Sequence, residues 1–289
     1  MRTSEVLRRG ALVAALLAGP ALLIGSPDAL AGQSWRTVTM SRQRSDVDEM
    51  KVRVAYGAGR FSVRPIDGEL LYRMQLRYDE ESFEPVAELD GDRLELGVEN
   101  IGKRFRLGRD RDDGRMDLEL NRGVPMDLQL EFGAVRADVD LGGLSLNELE
   151  LSTGASDSRV DVSRPNRLAM SRAELTVGAA DFTARHLGNL NAEDITVSAG
   201  VGDVTLEFTG EWRRDARVKV DMGLGSLELR FPRGLGVKLE KDTFLTSLDS
   251  QGLVKRGDAY YSTDWDEAER RVVVEVDAAF GSIDISWVR

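Results

Sequence analysis

The chain has 289 residues, a formal net charge of −11, one histidine and no cysteine. That length fits one or two domains, and the ordinary apolar content with abundant charge marks a soluble globular class. The acidic balance excludes binding to nucleic acid or to an anionic membrane surface through bulk charge. The missing cysteines exclude a disulfide framework and the usual Cys/His zinc sites, so no metal or other cofactor is expected.

Residues 1–31 read as a signal peptide. "MRTSEVLRR" is a basic leader, "GALVAALLAGPALLIG" an apolar core, and Ala29–Ala31 a small-x-small cleavage pattern. The apolar run falls short of the roughly 20 residues of a spanning helix, and Pro20 interrupts it. Cleavage after Ala31 would export the chain to the periplasm or cell surface without membrane insertion. The removed segment holds three arginines and two acids, so the mature net charge becomes −12.

Residues 32–50 form a lead segment. Beyond them one phrase returns: "YGAGRFSV", "SAGVGDVTL", "DMGLGSLEL", "DAAFGSIDI". Its hinge is Gly57, Gly133, Gly154, Gly178, Gly200, Gly223 and Ala279 in turn. Five and three residues before each hinge, and four and six after it, the residues are apolar; Ser158 is the exception. Spacing of two on each side means strand, small corner, strand. Small residues suit a corner that needs positive φ or close stacking. Polar residues between hinge and tail (Asp157, Asp181, Asp203, Ser226, Ser282) can bond nearby backbone.

Successive hinges stand 76, 21, 24, 22, 23 and 56 residues apart. A unit of about 22 residues cannot bury its own apolar face and must stack on its neighbours. The expected fold is all-β: a single-stranded parallel β-solenoid, with a β-sandwich of hairpins as the rival. Asn147 and Asn191, in similar "LN" contexts, are candidates for an internal amide ladder.

Two intervals break the rhythm. Residues 51–127 hold the first rung and then an antiparallel hairpin or meander. Its apolar faces are Tyr72, Met74, Leu76 and Tyr78, then Leu89, Leu94, Leu96 and Val98 around Asp90-Gly91, then Met116, Leu118 and Leu120. Residues 128–289 continue the solenoid, with an insertion at about 232–271 that serves as a C-terminal cap.

"YGAGRFSV", preceded by "VRV" and followed by "LLYRMQLRYD", resembles the N-terminal part of the toast-rack family, and "YYSTDWDEAERRVVVEVDAAFGSIDIS" is similar to the close of that superfamily. The superfamily includes extracytoplasmic domains of cell-wall-active-antibiotic response proteins and a set of candidate adhesins. The resemblance implies a single-stranded β-solenoid of the cell envelope.

Catalytic signatures are absent from the motifs. His186 lies in a turn without a G-x-S-x-G elbow. "GRDRDDGR" lacks the EF-hand ligand pattern, and the glycine corners lack the Lys-Ser/Thr of a phosphate loop. The expected function is therefore a non-enzymatic envelope scaffold or adhesin-like module for an unidentified envelope protein or polysaccharide. Tyr260, Tyr261 and Trp265 are the candidate interaction patch. The alternative is a polysaccharide-binding or sugar-cleaving protein using outward carboxylates such as Asp138, Asp161, Glu228 and Asp284.

Overall fold

The phrase around Gly223 folds as one long bent strand. Val218, Val220 and Met222 are buried on one side of it, and Leu227, Leu229 and Phe231 on the other. The inward set passes from even to odd numbers across Gly223–Ser226, and this four-residue interruption of the alternation is the corner. The computed structural model describes residues 34–44, 49–101, 114–243 and 245–288, so the proposed signal peptide and most of "GRDRDDGR" lie outside the described residues. Gln33–Arg289 group as one compact unit.

The chain is all-β. Its strands are β1 (Trp35–Gln43), β2 (Met50–Ile66), β3 (Leu70–Asp79), β4 (Phe83–Asp90), β5 (Arg93–Asn100), β6 (Arg115–Asn121), β7 (Pro125–Asp140) and β8 (Ser145–Asp161). There follow β9 (Met170–Arg185), β10 (Ala192–Glu207), β11 (Ala216–Pro232), β12 (Gly236–Thr243), β13 (Thr246–Asp249), β14 (Leu253–Arg256), β15 (Ala259–Ser262) and β16 (Arg271–Val288). A 3-10 turn, Leu187–Leu190, precedes β10. Among the described residues no helix is long and apolar enough to cross a membrane.

Strands β2, β7, β8, β9, β10, β11 and β16 pair in parallel in that order. Hinge faces hinge: Ala199 pairs with Met222 and Val201 with Leu224, so Gly200 stands opposite Gly223. Matching registers place Gly57, Gly133, Gly154, Gly178 and Ala279 in the same row.

Each end of this ladder gains a level that the hinge spacing conceals. β5 pairs in parallel with the first half of β2 and β6 with its second half, so Leu94, Leu96, Met116 and Leu118 continue the inward columns. β12 and β13 flank β16 in the same way, with Leu239 beside Val274 and Leu248 beside Ile283. The expected insertion at 232–271 is thus corrected. Its first part is another level of the ladder, and only β14 and β15 form a separate hairpin, which pairs antiparallel with β12. The expected antiparallel strands are present in this region: β1, β3 and β6 run antiparallel along the edge, and β4 with β5 makes a hairpin.

Two further expectations change, and one exception is explained. Positive φ falls two residues after the hinge, at Gly59, Gly202, Gly225 and Gly281 (119°, 140°, 142° and 140°), not at the hinge. Stacking restricts the inner hinges: a Cβ on Gly178 would stand 2.9 Å from the Gly154 carbonyl oxygen, and one on Gly223 would stand within contact of that of Gly200, whereas one on Gly57 would meet nothing within 4 Å. Asn147 faces outward to Glu49, and the buried asparagines are Asn121, Asn166 and Asn189, each bonded to backbone. Ser158 departs from the apolar rule because Thr153 and Ser156 turn inward beside it. Thr153 donates to Ser156 at 2.6 Å and Ser158 donates to Ser156 at 2.9 Å, which satisfies the buried hydroxyls.

Candidate interaction surface

The residue after each hinge cannot point inward, because the corner holds it at the surface. Along the row it is Ala58, Ala134, Ala155, Ala179, Val201, Leu224 and Phe280, and the β12–β13 level adds Leu245 beside Phe280. Side-chain size grows along the stack. Val201, Leu224 and Phe280, on three adjacent strands, are 51%, 50% and 45% exposed, and Leu245, in the bend between β12 and β13, is 71% exposed. Isolated exposed apolar residues are ordinary, whereas a contiguous row of them marks an interaction site.

Beside this ridge runs an open groove of about 810 Å3. Its floor is made of small or buried residues: Ala199 with Gly200, Met222 with Gly223, and Ala278 with Ala279. Asp221, Asp242 and Asp277 also line it. Lys219 lies 3.1 Å from Asp221 and 3.7 Å from Asp277; the hydrogen bond to Asp221 raises the pKa of the ammonium. On the other flank of the ridge stand the exposed Asp181 and Asp203.

The residues expected to carry a site lie elsewhere. Tyr260, Tyr261 and Trp265 are half-buried in the β14–β15 cap. Tyr261 meets the Trp265 ring edge-on at 5.4 Å, and Arg256, Arg271 and Lys255 sit over Tyr261, Trp265 and Tyr260. His186 has left-handed backbone, and its Nδ1 lies 2.6 Å from Asp161. Asp138 accepts from Arg64, Asp284 from Ser282, and Glu228 from Arg230 and Ser286. The Arg230 hydrogen bond holds the Glu228 carboxyl below its ordinary range, opposite to what a general acid needs. Among the described residues no group of three or more His, Cys, Asp or Glu is placed to hold a metal ion.

Reading the hinge-plus-one column of the same repeat would have found the ridge. The inward columns alone do not show it.

These features define an all-β protein with in-register parallel strands and an exposed apolar ridge. The family is settled by sequence: the model of the N-terminal domain of toast_rack, DUF2154, matches residues 31–185 and again 170–230, and the chain belongs to the toast-rack family. No curated protein matches it. Among solved structures, a candidate cell adhesion protein from Clostridium sporogenes is similar at 17% identity and a TM-score of 0.45, over 88% of this chain and 100% of its own. A candidate adhesin from Bacteroides fragilis aligns at 11% identity and 0.33, over 88% and 98%. A candidate lipid binding protein from Parabacteroides distasonis aligns at 12% and 0.33, over 88% and 97%.

Proposed function

We propose that the chain is a non-enzymatic β-solenoid of the cell envelope, exported after cleavage behind Ala31, that works by binding another envelope component. The parallel, in-register pairing of β2 through β16 supports the solenoid reading, with the stacked glycines as its structural corners. The observation that carries the function is the ridge of Val201, Leu224, Phe280 and Leu245, whose large apolar side chains are each 45% or more exposed at neighbouring positions of the stack. The engagement of Asp138, Asp161, Glu228 and Asp284 by neighbouring side chains supports binding over sugar cleavage.

A photo-crosslinking amino acid at Leu224 of the exported protein tests this in intact envelopes. Discrete adducts are expected at Leu224 and not at Thr205, which lies on β10 four residues beyond Val201, past the corner. Equal labelling at both positions, or none at Leu224, would remove the ridge as the working surface. Intact mass of the exported chain should begin at Gly32; retention of residues 11–25 would defeat the export reading.

A further inference from the structure

The groove beside the ridge has a shape and a charge that specify an occupant. Its lining combines small or buried residues (Ala199, Gly200, Met222, Gly223, Ala278, Ala279) with Asp221, Asp277 and Asp242, and the exposed Val201, Leu224 and Phe280 follow the lining residues directly on β10, β11 and β16. Asp203 and Asp181 add carboxylates behind the ridge. Lys219, already held between Asp221 and Asp277, is the cation these carboxylates share.

From these features, and resting on the binding role proposed above, we propose that the groove docks a cationic amphipathic helix of a partner polypeptide, lying along the direction in which the strands stack. Spacing selects a helix over a strand. Adjacent strands are about 4.8 Å apart, so the four ridge side chains span about 14 Å. Helix positions i, i+3, i+7 and i+10 span about 15 Å along the axis. Four same-face residues of an extended strand span about 20 Å and slip out of step. Hinges without side chains let a helix approach the floor closely, and lysines or arginines flanking its apolar stripe meet the carboxylates on both sides.

The charge also decides against other occupants. A second copy would bring the same acidic walls against these ones, and the net charge of −11 opposes self-association. An anionic bilayer is repelled for the same reason.

The test uses the whole exported chain and a labelled Leu/Lys peptide of about five helical turns with Leu at i, i+3, i+7 and i+10. Binding is read by fluorescence anisotropy against three peptide forms: the parent, one with two central prolines, and one with Glu for Lys. Protein variants are Leu224→Ser with Phe280→Ser, Asp221→Asn with Asp277→Asn, and, in the same outward row as Lys219 but three or more strands away along the stack, Glu95→Gln with Glu150→Gln. All altered side chains reach the surface, and unchanged melting midpoints confirm folding.

The parent peptide should bind, weaken with salt, and lose at least about tenfold in affinity in the ridge and Asp pairs but not in the Glu pair. The Glu peptide should not bind. Equal weakening by the Glu95/Glu150 pair would reduce the effect to bulk charge and overturn the proposal. A proline-broken peptide that binds as tightly as the parent would overturn the helix. Failure of the parent peptide while Leu224 still crosslinks in envelopes would overturn the cationic helix alone and leave the ridge as the binding surface; failure of both would remove the ridge itself.

Discussion

The carbonyl oxygen of Gly178 stands 2.9 Å from the point where a Cβ on Gly200 would be placed. The two glycines face each other across the β9–β10 pairing, and real Cβ atoms do not come that close to an oxygen. Gly200→Val should therefore force the corner apart and cost about 1–3 kcal/mol. Thr205→Val, on the outward side between Val204 and Leu206, should be close to neutral. Urea midpoints decide this, and coincident midpoints would show that the corners are not packed.

Gly225 is the more demanding position. It combines φ of 142° with a Cβ site that collides with the Gly202 carbonyl. Gly225→Ala should lower stability more than Gly200→Ala, because backbone strain of about 1–3 kcal/mol adds to the overlap. Thermal melts in which Gly200→Ala proves the worse variant would contradict this division between a stacking hinge and a left-handed corner.

The Thr153–Ser156–Ser158 cluster predicts non-additivity. Ser156→Ala strands two buried hydroxyls and should cost about 1–3 kcal/mol. Replacing all three, with Thr153→Val, Ser156→Ala and Ser158→Ala, removes the groups left unsatisfied and should recover part of that loss. A triple variant that loses the sum of three single changes would show the hydroxyls act independently.

Two carboxylates should shape the pH dependence of stability in opposite directions. Burial works to raise Asp117, but hydrogen bonds from Arg115 and Ser62 outweigh it and hold the folded pKa low. Its stabilisation is therefore present above the ordinary carboxylate range and is lost as pH falls through the folded value. Asp117→Asn should flatten the acid limb. Burial, then Glu49 and Glu148, raise Asp127, so the folded chain holds that proton more tightly than the unfolded chain. Asp127 thus opposes folding once pH exceeds its raised value, and Asp127→Asn should raise the neutral-pH midpoint and change nothing below the carboxylate range. Chemical denaturation across pH separates the two, and a neutral-pH loss for Asp127→Asn would reverse the sign argued here.

The inward columns were legible because buried alternation demands apolar residues at fixed spacing, as Val218, Val220, Leu227 and Leu229 illustrate. The end levels were not. In β12–β13 the position aligned with Val276 is Lys241, and between β5 and β6 the sequence reads "GKRFRLGRDRDDGR", so neither carries the repeated phrase. The stacked rings of Phe208 and Phe231, 5.0 Å apart, with Trp287 a further 5.8 Å on, extend the inward set past the columns the repeat defines. The ridge escaped notice for a different reason: surface positions vary freely in type, and only their register shows that Val201, Leu224 and Phe280 are neighbours. The aromatic cluster at Tyr260, Tyr261 and Trp265 stands out by composition, and in the fold each of its rings carries one cation from the same chain.

The most direct test of the account is whether the ridge side chains stand side by side, and the cysteine-free chain makes it clean. A disulfide needs Cα atoms about 4.4–6.8 Å apart, which adjacent strands provide and next-but-one strands, about 9.6 Å apart, do not. Under mild oxidation, Val201→Cys with Leu224→Cys, Leu224→Cys with Phe280→Cys, and Phe280→Cys with Leu245→Cys should each close within one chain, while Val201→Cys with Phe280→Cys should keep free thiols. Closure of Val201→Cys with Phe280→Cys as readily as the adjacent pairs, or no closure of Leu224→Cys with Phe280→Cys in folded protein, would contradict the stacked register and the interaction ridge built on it.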